Sequence, residues 1–130
     1  MRYEYTHDFT EQQLEKLFLS VEWESGKYPE KLVKAMQGYS TVISAWENDE
    51  LKGLICAMDD GVMTAYVHYL LVDPACQGKG VGAELVRLLK EHYKDYLKIL
   101  ILVYKDKLGF YEKCGFKCDD FCLPMSISEL

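Results

Sequence analysis

No apolar run in the chain approaches the length of a bilayer span, and Met1-Arg2-Tyr3-Glu4 does not open like a secretory signal. A membrane partner is therefore not expected. Basic patches are missing as well. Lys and Arg number 15 against 21 Asp and Glu, a formal charge of −6, so nothing is set up to neutralise phosphates and no nucleic-acid partner is expected. An acidic surface instead mildly favours cationic substrates such as amines. Cys114, Cys118 and Cys122 recur every four residues, yet there is no C-x-x-C and no nearby histidine, so no metal is expected. The five cysteines, an odd number without a secretory start, read as reduced thiols in the cytoplasm. Repeats, linkers and low-complexity segments are absent from the 130 residues, so residues 1–130 read as one domain large enough to bury a core without staples.

What is present centres on residues 62–83. Val62 to Val72 is an apolar, Val-, Leu- and Tyr-rich run that follows the turn signal Asp59-Asp60-Gly61. It reads as a mostly buried strand, ended by Pro74, which cannot continue a ladder. Gln77-Gly78-Lys79-Gly80-Val81-Gly82 then opens a helix whose stripe is Val81, Leu85, Leu88 and Leu89. A glycine turn leading into bare helical N–H groups suits phosphate oxygens. The pattern misses the dinucleotide G-x-G-x-x-G, because the third glycine comes one residue early. It also misses the nucleotide-triphosphate loop, because Gly78-Lys79 is followed by Gly80 rather than Ser or Thr. A glycine-rich turn with no ligand is the competing reading.

The flanks supply the rest of an α/β domain. Arg2 to Thr6 reads as a short strand. Thr10 and Gln13 form a capping box with Phe9 and Leu14 as staple, ahead of a helix carrying Leu14, Leu17, Phe18 and Val21. Pro29 starts a second helix that stops at Gly38. Thr41 to Trp46 and Leu51 to Met58 read as a hairpin. After the glycine loop the helix should run to about Tyr96. Lys98 to Val103 is a strand parallel to the central one, Lys105 to Cys114 a short helix, and Phe116 to Ile127 one or two edge strands limited by Pro124. The order predicts a mixed sheet flanked by about four helices.

Gln77, Gly80 and Gly82 make Gln-x-x-Gly-x-Gly, which resembles the coenzyme A pyrophosphate loop of the GNAT N-acetyltransferase superfamily. Leu108-Gly109-Phe110-Tyr111-Glu112-Lys113-Cys114-Gly115-Phe116 resembles the second signature of that family, an aromatic-Tyr pair followed by Glu-Lys-x-Gly-Phe. The two together cover residues 62–117 in the family's order. Asp60-Gly61, Val72-Asp73-Pro74 and Leu108-Gly109-Phe110-Tyr111 are also similar to the small plastid-type serotonin N-acetyltransferases. Two positions depart from the pattern: Tyr104 stands where many members carry a cofactor-holding Asn, and Lys107 where they often carry Ala.

The resemblance implies a GNAT fold with splayed parallel strands and an acetyl-CoA co-substrate whose acetyl group is attacked directly by a primary amine, either a small molecule or a lysine. It places the pantetheine and the oxyanion against the backbone of Leu70, Leu71 and Val72, and the pyrophosphate on Gln77, Gly78, Lys79, Gly80, Val81, Gly82 and Ala83. Tyr104 and Phe110 fall in the same cofactor group. Tyr111 matches the partner of the leaving sulfur. A free Tyr titrates near 10 and a thiol near 8.5, so it should hydrogen-bond the sulfur rather than act as a strong acid. His68 falls on one of two strand histidines of vertebrate-type arylalkylamine N-acetyltransferases and is the candidate base. Tyr66 falls on the other. Strand alternation puts 66 and 68 on one face and 67 and 69 on the other. Glu22, Trp23 and Glu24 lie where the family lines the acceptor site. A non-catalytic acyl-CoA-binding module is the competing function, and a homodimer covering an open sheet edge is the candidate assembly.

Overall fold

The computed structural model describes all residues, Met1 to Leu130. Its order is β1 (Arg2–Tyr5), α1 (Glu11–Ser20), α2 (Pro29–Gly38), β2 (Thr41–Glu47), β3 (Glu50–Asp59), β4 (Thr64–Val72), α3 (Val81–His92), β5 (Lys98–Ile101) and α4 (Leu108–Lys113). One sheet runs β1-β2-β3-β4-β5, antiparallel except for the parallel pair β4–β5.

Local chemistry starts each element. Thr10 Oγ1 accepts the Gln13 N–H at 3.1 Å and Gln13 Oε1 accepts the Thr10 N–H at 2.9 Å, closing the capping box of α1. Phe9 and Leu14 are both buried in the same apolar cluster, as a staple requires. At the β3–β4 turn, Asp60 Oδ1 accepts the amides of Val62, Met63 and Thr64, and Gly61 takes φ +82°.

The sheet is coated on both faces. Leu14, Leu17, Phe18 and Met36 of α1 and α2 bury against Val42, Leu54 and Leu71. Leu85, Val86 and Leu89 of α3 bury against Ile43, Ile55 and Val67 on the other face. Phe18 is 0% exposed, and truncating such a residue costs about 3–5 kcal/mol.

Register decides the site. Cys56 pairs with Tyr69 but Ala57 pairs with Val67, so His68 is an extra residue, a β-bulge. The bulge overturns the simple alternation expected for β4. Ala65 and Val67 face α3, whereas beyond the bulge Tyr69 and Leu71 face α1 and α2. It also sits where β4 leaves β5: parallel pairing runs only from Thr64↔Lys98 to Val67↔Ile101. Strand β5 therefore stops at Ile101 rather than Val103.

Several other ends differ from expectation: β4 begins at Thr64 rather than Val62, and α4 at Leu108 rather than Lys105. Helix α3 stops at His92, because the next turn folds back so that the Tyr93 and Tyr96 hydroxyls donate to Asp59 at 2.7 and 3.3 Å. The segment after Phe116 forms no strand. Phe121, Leu123, Met125 and Ile127 keep a strand-like alternation but are exposed, with Asp119-Asp120 and Pro124 interrupting any ladder.

Candidate active site

A cleft of about 1230 Å³ opens where β4 and β5 part. Leu70, Leu71 and Val72 line one bank, and Leu102, Val103 and Tyr104 the other. Because pairing with β5 has ended, the backbone of β4 beyond the bulge has no strand on that side. Its polar groups are open to an extended ligand.

The glycine loop closes one end. Asp73 Oδ1 accepts the Ala75 N–H at 2.9 Å, and the Asp73 N–H bonds the Lys52 carbonyl at 2.8 Å, fixing where β4 turns. The Gln77 side chain donates to the Val72 carbonyl at 2.9 Å. Gly78 and Gly80 take φ +78° and +82°, a conformation that only glycine adopts cheaply, and no neighbour would obstruct a Cβ at either. At Gly82 the constraint is space instead: a Cβ there would meet Phe110 Cζ at 3.3 Å, a tight approach that the ring would have to yield to. The first intrahelical bond of α3 reaches from the Glu84 N–H to Gly80, which leaves the earlier amides of the turn free to point at an anion.

Tyr111, from α4, stands on the bank opposite β4 and packs edge-on against Phe110 and Phe116. Burial pushes its phenol up to about 12. The other end of the cleft is aromatic and acidic. Tyr69 meets Phe18 edge-on at 5.0 Å and Trp23 at 5.8 Å, and its hydroxyl bonds Ser25 at 3.0 Å. Those contacts tie the α1–α2 loop to β4. His68 stacks on Tyr69 with ring centroids 4.1 Å apart, and Tyr66 lies 6.0 Å away. Partial burial lowers the His68 pKa, favouring neutral imidazole. Glu22 and Glu24 add carboxylates to this wall; Glu22 holds φ +61°, a strained angle for a non-glycine residue.

The site residues read from the sequence thus fall together. Tyr66, His68, Leu70, Leu71, Val72, Gln77, Gly78, Gly80, Val81, Gly82, Ala83, Tyr104, Phe110 and Tyr111 all line this cleft, as do Trp23 and Glu24. Lys79 does not, and its side chain is exposed at the rim of the loop. Sequence reasoning missed Tyr39, which hydrogen-bonds His68 Nδ1 from the α2–β2 junction, and Ser25. Nothing local to Tyr39 announces that pairing, since its partner lies 29 residues away.

A family model described as Acetyltransferase (GNAT) domain matches residues 5–121, nearly the whole chain. The chain belongs to the GNAT acetyltransferase family. It is 40% identical over 53 residues to glucosamine 6-phosphate N-acetyltransferase 1 of Oryza sativa subsp. japonica, covering 39% of this chain and 32% of that protein. It is 36% identical over 76 residues to the chloroplastic GCN5-related N-acetyltransferase 3 of Arabidopsis thaliana, covering 55% of this chain and 31% of that protein. The chain therefore spans about a third of the length of these curated relatives. A GNAT-family acetyltransferase from Streptococcus pneumoniae superposes with a TM-score of 0.84 over 99% of this chain and 98% of its own, at 22% identity. That likeness establishes the fold.

Proposed function

We propose that this chain is an N-acetyltransferase that moves an acetyl group from acetyl-CoA to a primary amine by direct attack, with residues 1–130 as its single catalytic domain. One observation carries the reading: a single cleft joins the glycine loop, the unpaired stretch of β4, Tyr111 and His68. Gln77 to Ala83 would hold the pyrophosphate on loop amides, with Lys79 adding charge from the rim. Leu70, Leu71 and Val72 would pair the pantetheine amides, and a β4 N–H would face the oxyanion. Tyr104 and Phe110 would flank the cofactor arm from the far bank. His68 would take the amine proton, and Tyr111 would hydrogen-bond the departing sulfur.

Acceptor chemistry follows from the other end of the cleft. Trp23, Tyr66 and Tyr69 offer apolar faces, while Glu22 and Glu24 favour a cation, so a small amine or an unhindered lysine suits this wall better than a phosphorylated sugar. Five free thiols suit a reducing compartment, and a cytoplasmic location belongs to the same proposal. No helix is long and apolar enough to cross a membrane. A homodimer belongs to the proposal as well, supported by the open edge of β5, where Leu100 is exposed.

The test is mass-spectrometric detection of acetylated product after incubation with acetyl-CoA, pooled amines and lysine peptides. Tyr111→Phe serves as the control. Product that falls in the variant supports the enzyme and names its acceptor class. Coenzyme A binding with no product from any amine would favour the acyl-CoA-binding module, the reading that Tyr104 in place of the family's Asn supports. Loss of both would end the assignment of the glycine loop.

A further inference from the structure

Resting on the reading of His68 as base, we infer that Tyr39 is its positioning residue: the phenolic oxygen accepts the Nδ1 proton and leaves the Nε2 lone pair for the substrate. Tyr39 is 8% exposed, held where α2 ends and β2 begins, and its hydroxyl bonds Nδ1 of His68. A base must present an unprotonated nitrogen to the cleft. In neutral imidazole only one nitrogen carries hydrogen, so the partner of Nδ1 decides which nitrogen is free.

Two arrangements satisfy the same contact. If Tyr39 donated to Nδ1, Nε2 would carry the proton and the ring could not accept another through its cleft edge. If Nδ1 donates to Tyr39, Nε2 is free. The second arrangement is the one that the base reading requires, because only it leaves Nε2 able to take the amine proton. It also survives proton uptake. The imidazolium donates from both nitrogens, and Tyr39 is already an acceptor at Nδ1 with nothing to reorient.

Tyr39 stays neutral throughout, since burial drives its pKa upward. The arrangement thus steadies the imidazolium without the fixed charge of a carboxylate partner. The groups facing His68 are Tyr39 from the α2–β2 junction, and Tyr66 and Tyr69 from its own strand. Glu22 and Glu24, from the α1–α2 loop, are the carboxylates of the same cleft.

The ring tautomer can be read by ¹⁵N NMR on the protein alone, with the His68 signals identified by their loss in His68→Gln. The expected result is a proton on Nδ1 in the wild type. Tyr39→Phe keeps the ring packing and removes the acceptor. Its His68 should shift towards the Nε2–H form and titrate at lower pH, since the charged form has lost a partner. With acetyl-CoA and either 2-phenylethylamine or spermidine as probes, the acidic limb of kcat/KM should move to lower pH. On the plateau above that limb kcat should fall roughly tenfold with KM for acetyl-CoA unchanged, the scale expected for one lost hydrogen bond to a charged group. A wild-type proton on Nε2, or a limb that stays or moves upward in Tyr39→Phe, overturns the inference. If His68→Gln costs at least a hundredfold while Tyr39→Phe changes neither tautomer nor profile, the base stands and only the role of Tyr39 falls. If His68→Gln leaves kcat intact, the base reading fails and takes Tyr39 with it.

Discussion

Tyr111→Phe separates two ways in which a tyrosine can help a thiolate leave. Burial holds the Tyr111 phenol at about 12, against about 8.5 for an ordinary thiol. Handing over a full proton would be uphill by about 5 kcal/mol at 1.36 kcal/mol per pKa unit. A hydrogen bond to a sulfur that gains charge in the transition state avoids that cost. Bonds to charged groups contribute about 1.5–3 kcal/mol, so deleting the hydroxyl should lower kcat roughly 10- to 150-fold. KM for acetyl-CoA should barely move, because the bond strengthens only as charge develops. Phe preserves the edge-on packing on Phe110 and Phe116, so the melting temperature should stay within a degree or two. Initial rates from mass-spectrometric product counts, across pH 6 to 10, provide the check. No alkaline limb should belong to Tyr111 below about pH 11. A kcat within twofold of wild type would refute the role. A loss beyond about ten-thousandfold would refute the reasoning differently, by showing obligatory proton donation.

Other outcomes follow from the same geometry. Gly80→Ala forces a Cβ into φ +82° and should cost about 1–2 kcal/mol of stability together with weaker coenzyme A binding, read by thermal melts and calorimetry. Glu22→Gly should relieve the strain at φ +61° and raise the melting temperature by roughly 2–6 °C while weakening cationic acceptors, so that KM for the amine rises. A lower melting temperature in that variant would remove the strain argument. The Asp59 carboxyl is held below its usual range, chiefly by the Tyr93 hydroxyl. Its stabilising effect is complete above the ordinary carboxylate pKa of about 3.9 and is lost as pH falls towards the depressed folded value. Melting temperatures should therefore drop as pH falls below about 4, and Tyr93→Phe should flatten that slope. An unchanged slope would mean that other carboxylates govern it.

Local chemistry made much of the fold readable. The capping box at Thr10 and Gln13, Pro29 at the start of α2 and the glycines of the loop act within a few residues of themselves, and each takes the expected form. What could not be read depends on partners distant in sequence. The arrest of α3 at His92 needs Asp59, 34 residues away from Tyr93, and the contact between Tyr39 and His68 needs β2, β3 and β4 already in register. The alternating residues from Phe121 to Ile127 look like a strand because period alone carries no information about whether an edge is there to receive it.

The bulge at His68 shows why the site was legible as a set of residues but not as an arrangement. The apolar run from Ala65 to Val72 offers no alternation that would betray a slipped register, since both faces of β4 are covered. Yet one extra residue couples three properties that a regular strand would keep apart. It lies where pairing with β5 ends, so that the cleft can open; it turns Tyr69 towards Phe18 and Trp23, anchoring the proposed acceptor wall; and it lets His68 stack on Tyr69 while its Nδ1 reaches Tyr39. A strand without the bulge would put Tyr69 on the α3 face with Val67 and leave the α1–α2 loop without its anchor. The positions of the candidate base, the proposed acceptor wall and the candidate cofactor cleft therefore depend on one backbone irregularity, whose register is fixed by β3 rather than by the residues that form the site.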